Sequence, residues 1–516
     1  MASHLHELHL LTRFRWAFCQ LEYLRHCLRQ RIQRALGELP ETLDEIYDLT
    51  LKDIGEQNWE YAHRLFQCVA AASRPLRVEE LAEFLAFDYD AESTPTLRED
   101  WRHEDPAHAV RSTCSSLLAI VDVDGTRVIQ FAHFSVKEYL TSNRLADARP
   151  TLSRFHVSMT QAHTIVAQAC LGVLLHIDES ITEDGLKKLP LAEYAAEHWV
   201  SHARFDDVSQ NIQKGMKRLF DPSNRHLLVW IWIFDPASLG GRYIRSGRPS
   251  QARGTALHYS AFCGIQDVVK FLIVERSQDM NARSFDGNET PLTVASREGH
   301  SEVVRALLEH GADLGTRDDY FFSPVEHAST RGHVKVVQVL LDRGADVNEG
   351  MDRRNNTILH LASSSGHPKV VRMILEHGAD VHARDVDDLT PLHSAQDEGV
   401  AQVLLEYGAD PNAQDKTKRT PLYEALDLRR AEFARVLLDK GANVNARDHQ
   451  NRTPLHLASR WGYLDGVRLL LQRGSDIHAR DDLDWTPFQV ASARKHHDVM
   501  QFLLEHGAVA ENHRTR

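Results

Sequence analysis

The sequence has few cysteines and no long hydrophobic segment. Six cysteines are scattered over 516 residues without a C-x-x-C pair, which argues against a disulfide framework or a zinc ribbon. The longest apolar run, residues 227–234, is far shorter than the roughly 20 residues needed to cross a bilayer. No apolar signal-peptide core precedes Arg13. We therefore expect a cytoplasmic protein with no membrane partner.

Basic residues are in deficit. The chain carries 60 Lys and Arg against 73 Asp and Glu, a formal net charge of −13. Phosphate backbones select cationic surfaces, so this balance argues against nucleic acid as a partner. The hydrophobic share of 42% and the charged share of 26% are ordinary for globular domains, and the length suffices for several cores.

Motifs of catalysis are also missing. The sequence contains no G-x-x-x-x-G-K-[ST] phosphate loop, no G-x-S-x-G nucleophile elbow and no H-E-x-x-H zinc motif. We therefore predict a protein that is not an enzyme, with no catalytic, cofactor-binding or metal residues. Asp122-Val123-Asp124-Gly125 is similar to the start of a calcium loop, but its later ligands are missing. Asp124-Gly125 lies between two β-prone runs and predicts a hairpin instead.

A tetrapeptide of the Thr-Pro-Leu-His type recurs in the C-terminal half. Each copy is followed by an alanine, a Gly-His or its equivalent, a V-V-x-x-L-L face and a Gly-Ala-Asp. This pattern resembles the ankyrin repeat and predicts eight copies within residues 245–516, stacked as an α-solenoid. The copies begin at Thr255, Thr290, Ser323, Thr357, Thr390, Thr420, Thr453 and Thr486.

The repeat pattern has a physical basis. Proline is tolerated in the first turn of a helix, and the threonine before it can cap that helix. The apolar face needs a neighbouring repeat for its burial, and the glycine supplies a left-handed residue at the helix end. Histidines recur once per repeat and resemble the structural histidine of the family rather than metal ligands. They are His258, His360, His393 and His456.

Three copies depart from the pattern. Ser277 stands in the first copy where the others have glycine, which should strain that helix end by about 1 kcal/mol. The fifth copy lacks three residues, which we place between Gly399 and Val403, so its helix pair should be shortened. Lys495 replaces a glycine in the eighth copy, as expected of a terminal repeat.

The N-terminal half is predicted to be helical with one small β element. Apolar periodicity indicates helices over about residues 43–54, 59–69, 78–85, 165–173 and 191–199. Two β-prone runs, residues 119–123 and 126–131, follow the first three helices and indicate a winged helix with a packing role. Ser135 and Glu138 form a capping-box pattern that predicts a helix start. The apolar, aromatic-rich stretch over residues 227–234 is predicted to cover the first repeat.

Several segments resemble the region that follows the NTPase core in fungal NACHT-type STAND proteins, which are NLR-like and end in ankyrin repeats. The clearest are residues 13–21, 39–43, 74–81, 131–140 and 194–199. The resemblance implies the end of a NACHT-type core over residues 1–36 and a helical and winged-helix domain over 37–150, of the kind named after GPI inositol-deacylase. A helical linker and solenoid cap over 151–244 and the repeats over 245–516 complete the chain, so we expect a mainly α protein.

This architecture favours a non-enzymatic signalling scaffold or sensor that binds protein partners through its repeats. One alternative is a truncated form of a NACHT NTPase, and another is a stand-alone decoy that associates with full-length relatives. In ankyrin repeats the concave face and the finger loops bind partners. At those positions the last three copies carry arginine and tryptophan, residues typical of interface hot spots. They are Arg419, Arg429, Arg460, Trp461, Trp485 and Arg494. An equally weighted alternative is that the arginines pair with neighbouring acids such as Asp427 and Asp484 while the tryptophans pack between the fingers.

Overall fold

The computed structural model describes residues 42–89, 94–114, 117–178, 180–236, 252–284, 287–348 and 354–509. The described residues form two compact units. One holds the residues up to Ala252 together with Lys270–Ser277, and the other holds Arg253–Val269 and the residues from Gln278 onward. The NACHT-type end predicted for residues 1–36 lies outside the described residues. Within the described part of the chain, no helix is long and apolar enough to cross a membrane.

The first unit is mostly helical, with five short strands. The strands are β1 (Leu76–Arg77), β2 (Phe87–Asp88), β3 (Thr96–Leu97), β4 (Leu118–Val123) and β5 (Thr126–Phe131). The helices are α1 (Leu43–Lys52), α2 (Trp59–Ala71), α3 (Val78–Glu83), α4 (Pro106–Cys114), α5 (Phe134–Leu140), α6 (Asn143–Ala146), α7 (Pro150–Ser153), α8 (Met159–His176), α9 (Glu183–Leu186), α10 (Ala192–Ala203), α11 (Val208–Asn211), α12 (Gln213–Phe220) and α13 (His226–Ile233).

The predicted hairpin is confirmed. Strands β4 and β5 pair antiparallel from Leu118 opposite Phe131 to Val123 opposite Thr126. Asp124 and Gly125 have φ angles of 51° and 80°, as a two-residue hairpin turn requires. Strand β1 pairs with the other edge of β5, giving the order β1-β5-β4. A small sheet between helices is the arrangement expected of a winged helix.

The helix after the hairpin does not begin as predicted. The capping-box pattern placed its start at Ser135, but α5 begins at Phe134 and His133 is its N-cap residue. The His133 Nδ1 accepts a hydrogen bond from the Ser135 N–H at 3.3 Å and lies 2.6 Å from the Ser135 hydroxyl. Imidazole therefore takes over the capping, and the Ser135 hydroxyl bonds to Tyr47 at 2.9 Å instead.

Most of the apolar run 227–234 lies in helix α13, which ends at Ile233 and packs in the core of the first unit. Trp230 is fully buried against Trp199 and Phe220, with ring centroids 5.4 and 5.8 Å away. Its indole N–H donates to the Ala196 carbonyl at 2.8 Å. Edge-to-face contacts of this kind add to the hydrophobic gain of burying large rings. That the segment also covers the first repeat stays a prediction.

Eight helix pairs follow, one for each predicted repeat. In most pairs the first helix has seven or eight residues and the second has nine. They are α14 (Ala256–Cys263) with α15 (Gln266–Val274), α16 (Pro291–Glu298) with α17 (Ser301–Glu309), α18 (Pro324–Thr330) with α19 (Val334–Asp342), α20 (Ile358–Ser364) with α21 (Pro368–Glu376), α22 (Pro391–Ser394) with α23 (Glu398–Glu406), α24 (Pro421–Asp427) with α25 (Ala431–Asp439), α26 (Pro454–Arg460) with α27 (Leu464–Gln472), and α28 (Pro487–Ala493) with α29 (His497–Glu505).

The deletion in the fifth repeat is not where the sequence reasoning placed it. Helix α23 has its full nine residues, so nothing is missing between Gly399 and Val403. The first helix, α22, is cut to four residues instead. Asp397 then caps α23 by accepting the Val400 N–H at 2.8 Å. The second helix therefore keeps its full length, and its start is stabilised by this side-chain cap.

The strain predicted at Ser277 has a structural counterpart, since its φ angle is 48°. The glycines that end the other second helices have φ angles such as 93° at Gly311 and 91° at Gly441. A side chain in this left-handed region costs about 1 kcal/mol, so we expect Ser277→Gly to raise the free energy of unfolding by about that amount. Urea unfolding measures the change. Ser277→Ala keeps a Cβ atom and should bring no gain; equal stabilisation by both variants would contradict the prediction.

Candidate partner-binding surface

The candidate surface is built on the caps and histidines of the repeats. In four repeats the histidine Nδ1 lies within hydrogen-bond distance of the threonine cap, as at Thr453 with 2.8 Å. The Nε2 of the same ring donates to a carbonyl of the next finger loop, which for His393 is Arg419 at 3.2 Å and for His456 is Trp485 at 2.9 Å. The structural role predicted for these histidines is confirmed. His393 and His456 thereby fix the backbone of two predicted site residues, Arg419 and Trp485.

Four of the six predicted residues are brought together around Asp427. Its carboxylate accepts a hydrogen bond from the Arg419 guanidinium. The other oxygen, Oδ1, accepts the indole N–H of Trp461 at 2.7 Å. The guanidinium carbon of Arg460 lies 5.5 Å from the centre of the Trp461 ring. The Arg429 Nη2 donates to the Trp461 carbonyl at 2.8 Å.

These contacts hold Trp461 in place while leaving its ring accessible. The residue is 44% exposed, although indole rings are usually buried in soluble domains. The indole N–H of Trp461 is bonded to Asp427, and its backbone carbonyl is bonded to Arg429. Because the side chain is already fixed, little conformational entropy is lost when a partner covers the ring. Leu428, 51% exposed, adjoins this group in the chain and was not predicted. We call Arg419, Asp427, Arg429, Arg460 and Trp461 the Trp461 cluster.

The other two predicted residues lie one repeat further along the chain. Trp485 is half-buried in the finger before α28, and its backbone N–H donates to Asp481 Oδ1 at 2.9 Å. Arg494 is exposed and caps the C-terminal end of α28. Asp484, a candidate partner for these arginines, pairs with Arg480 at 2.9 Å. Arg419 is thus paired with a nearby acid, Asp427, while Arg494 stays a predicted contact residue.

The second and third repeats contain a cluster of polar side chains that the sequence reasoning missed. His327 Nε2 lies 2.8 Å from Asp318 Oδ2, and Arg297 Nη1 lies 2.5 Å from Glu289 Oε1. The ligand atoms of Glu289, Asp318 and His327 all lie within 4.8 Å of one another. A usable signal was present, because the third motif reads Ser-Pro-Val-Glu and is followed by a histidine.

In the described hairpin of β4 and β5, the basic side chain is paired with an acid. Arg127 pairs with Glu79 at 3.3 Å. Asp122 Oδ1 accepts the Gly125 N–H at 2.9 Å inside the turn, which uses one of the oxygens that a calcium loop would need. The contacts support the packing role predicted for the hairpin.

Family models match both parts of the chain. A model described as ankyrin repeats matches three times, over residues 242–318, 319–385 and 392–481, and a single ankyrin repeat matches over 483–516. A model described as the winged helix domain of GPI inositol-deacylase matches residues 49–149. The predicted order of a winged-helix region followed by ankyrin repeats is thereby confirmed. Both are non-catalytic folds.

Curated relatives share parts of this architecture. The azaphilone pigments biosynthesis cluster protein L of Monascus ruber is 30% identical over 299 residues, which cover 54% of this chain and 61% of that protein. Protein phosphatase 1 regulatory subunit 12A of Mus musculus is 35% identical over 78 residues, and the palmitoyltransferase ZDHHC13 of Homo sapiens is 36% identical over 78. The chain spans only 7% and 12% of these two proteins.

Proposed function

We propose that this protein, whose C-terminal half consists of ankyrin repeats, is a non-enzymatic scaffold that binds a protein partner through the Trp461 cluster. Ankyrin repeats serve generally in protein–protein binding, and their specificity lies in surface residues rather than in the fold. The observation that carries the proposal is an exposed indole ring fixed from two sides by Asp427 and Arg429.

The charge of the surface suggests what the partner offers. Arg460 lies over the Trp461 ring, Arg429 is exposed beside it, and Arg494 is exposed in the next repeat. Guanidinium groups form strong paired hydrogen bonds with carboxylates and phosphates. An apolar residue of the partner would cover the ring. The partner segment we propose therefore carries an apolar side chain next to acidic or phosphorylated residues.

Substitutions in the cluster test this assignment. We expect Trp461→Ala and Arg460→Glu each to weaken binding of a partner recovered by pull-down with the full chain, by about 1–3 kcal/mol. Melting temperatures should change little because Trp461 is substantially exposed. Titration calorimetry of purified partner with each variant measures the effect.

The first unit supplies a matched control. Trp101 is 49% exposed and has the Arg98 guanidinium carbon 5.4 Å from its ring centre, which closely reproduces the exposure and stacking of Trp461. Trp101→Ala should leave partner binding unchanged. Unchanged affinity in the double variant Trp461→Ala, Arg460→Glu would remove this surface from consideration.

The wider role we propose is that of the regulatory and sensor half of an NLR-like STAND protein in a signalling pathway. The winged-helix match and the repeats that follow it support this role, as does the resemblance of several segments to fungal NACHT-type proteins. The alternatives are a part of a signal-transducing NACHT NTPase and a decoy that associates with full-length relatives.

Nucleotide binding tests the non-enzymatic character that we propose for this chain. Because the sequence contains no phosphate loop, we expect no saturable binding of ATP or GTP with Mg²⁺. Isothermal titration calorimetry is the measurement, with a P-loop NTPase as positive control. Stoichiometric binding at micromolar nucleotide would contradict a non-enzymatic scaffold.

A further inference from the structure

Glu289, Asp318 and His327 reach one point from three separate segments. Glu289 precedes the cap of α16, Asp318 lies in the next finger loop, and His327 lies in α18. Their side chains are 13%, 1% and 16% exposed, so the group is shielded from bulk water. Their ligand atoms lie within 4.8 Å of one another.

One member of the group has a counterpart in other repeats. Asp318 Oδ1 accepts the N–H groups of Tyr320 and Phe322 at 2.9 and 2.8 Å, which shapes the finger loop. Asp385 and Asp448 make the same pair of bonds in their own fingers. The second oxygen, Asp318 Oδ2, faces His327 instead.

The other two members are particular to this junction. At the position of His327 the fourth and seventh repeats have Leu361 and Leu457, and at the position of Glu289 the fourth repeat has Asn356. Loop geometry therefore accounts for the aspartate but not for the glutamate and the histidine.

The group also has a surplus of negative charge. Arg297 is shared between Glu289 at 2.5 Å and Glu298 at 2.9 Å. Arg297 thus compensates one of the two carboxylates that it contacts, and Asp318 contacts His327 instead, so the group keeps a surplus of negative charge when His327 is neutral. A divalent cation would supply the missing charge.

We propose that Glu289, Asp318 and His327 bind a divalent transition-metal ion of the Zn²⁺ type. Three protein ligands of mixed nitrogen and oxygen character leave a fourth position for water, a set that Zn²⁺ accepts. Ca²⁺ and Mg²⁺ prefer oxygen ligands alone, so the histidine selects against them. The ring nitrogen that faces the metal must be unprotonated, and a neutral histidine then carries its hydrogen on the other nitrogen.

Such an ion would join consecutive repeats. Metal–ligand distances of about 2 Å in tetrahedral geometry place the ligand atoms about 3.3 Å apart. Side-chain rotations that move the ligand atoms by about 1 Å would bring them from within 4.8 Å of one another to that spacing. Because the repeats are stabilised by their interfaces, the ion should stabilise the fold as well as bind.

The test is calorimetric titration of the full chain with ZnCl₂, followed by thermal unfolding. We expect one tight site per chain and a higher melting temperature with Zn²⁺, but not with Ca²⁺ or Mg²⁺. His327→Leu and Glu289→Asn introduce the residues of other repeats, so both variants should fold. Each should weaken the site at least about tenfold, since even indirect partners of metal ligands change affinity by that factor.

The chain has 31 histidines, so a control for scattered binding is needed. His382 is exposed and lies in another finger loop, and His382→Gln should leave the tight site intact. Circular dichroism confirms folding of each variant. The proposal is overturned if the wild-type chain shows no tight Zn²⁺ site, or if both His327→Leu and Glu289→Asn bind Zn²⁺ as the wild-type chain does.

Discussion

Lowering the pH from 7.5 to 5.0 is expected to remove about 2 kcal/mol of unfolding free energy at a single buried histidine, because the fold holds such side chains neutral. His202 is the clearest case, with no exposed surface. Burial lowers its pKa to about 3, and the neighbouring His163 acts in the same direction. Burial also lowers the pKa of His258, His393 and His456 in the repeats.

The surroundings of His202 explain why a proton has no place there. The Tyr194 hydroxyl accepts the Ser73 N–H at 3.1 Å and lies 2.9 Å from His202 Nε2. His202 Nδ1 lies 2.8 Å from His163 Nδ1. The set is satisfied when Tyr194 donates to His202 and His202 donates to His163. A second ring hydrogen on His202 would face the tyrosine O–H and break the chain of bonds.

The sign of the pH dependence follows from the direction of the shift. An unfolded histidine has a pKa of about 6.5, whereas folded His202 has one of about 3, so the unfolded state binds more protons between these values. The stability is present above pH 6.5 and is lost as the pH falls towards 3. Each pH unit in this range costs about 1.4 kcal/mol for this one histidine.

A variant that cannot titrate isolates the contribution of His202. In His202→Gln we expect the difference in unfolding free energy between pH 7.5 and 5.0 to shrink by about 2 kcal/mol, although its stability at pH 7.5 falls. Urea unfolding at both pH values measures it. His382→Gln removes an exposed histidine and serves as control. An unchanged pH dependence in His202→Gln would show that this ring does not carry the effect.

Local periodicity was enough to predict the repeat fold and the hairpin. Each signal is contained in a short stretch of chain: the Thr-Pro start of a first helix, the Asp124-Gly125 turn and the glycine that ends a second helix. The predicted place of the deletion in the fifth repeat is wrong because Gly399 resembles the glycine of the Gly-His motif in other repeats. Asp397 caps α23 and puts the loss in α22 instead.

The candidate sites depend on contacts between distant residues, which periodicity does not report. Asp427 and Trp461 are 34 positions apart, one repeat in the stack, and their bond could be foreseen only from the repeat length. The group of Glu289, Asp318 and His327 is similar, since its charge surplus appears only when three segments are brought together. Residue type suggested the arginines and tryptophans, but not which of them share a carboxylate.

Replacing Trp230 by alanine is expected to cost about 3–5 kcal/mol of unfolding free energy, the largest effect of any substitution considered. The ring is fully buried against Trp199 and Phe220, and its indole N–H donates a hydrogen bond to the Ala196 carbonyl. The variant loses the ring contacts and the indole hydrogen bond, while the Ala196 carbonyl keeps its backbone bond within the helix Ala192–Ala203. Urea unfolding measures the loss. Trp461→Ala removes a substantially exposed indole and should cost less than about 1 kcal/mol.

The Trp230→Ala variant also tests the prediction that residues 227–234 cap the solenoid. A terminal repeat with an uncovered apolar face is less stable than the repeats that follow it. If the aromatic segment provides that cover, Trp230→Ala should speed amide exchange in Ala256–Cys263 as well as in Ala192–Ala203. Exchange in Pro454–Arg460, six repeats further along, should stay unchanged and serves as the internal reference. Faster exchange confined to Ala192–Ala203 would show that Trp230 stabilises only its own unit and that the first repeat does not need the segment.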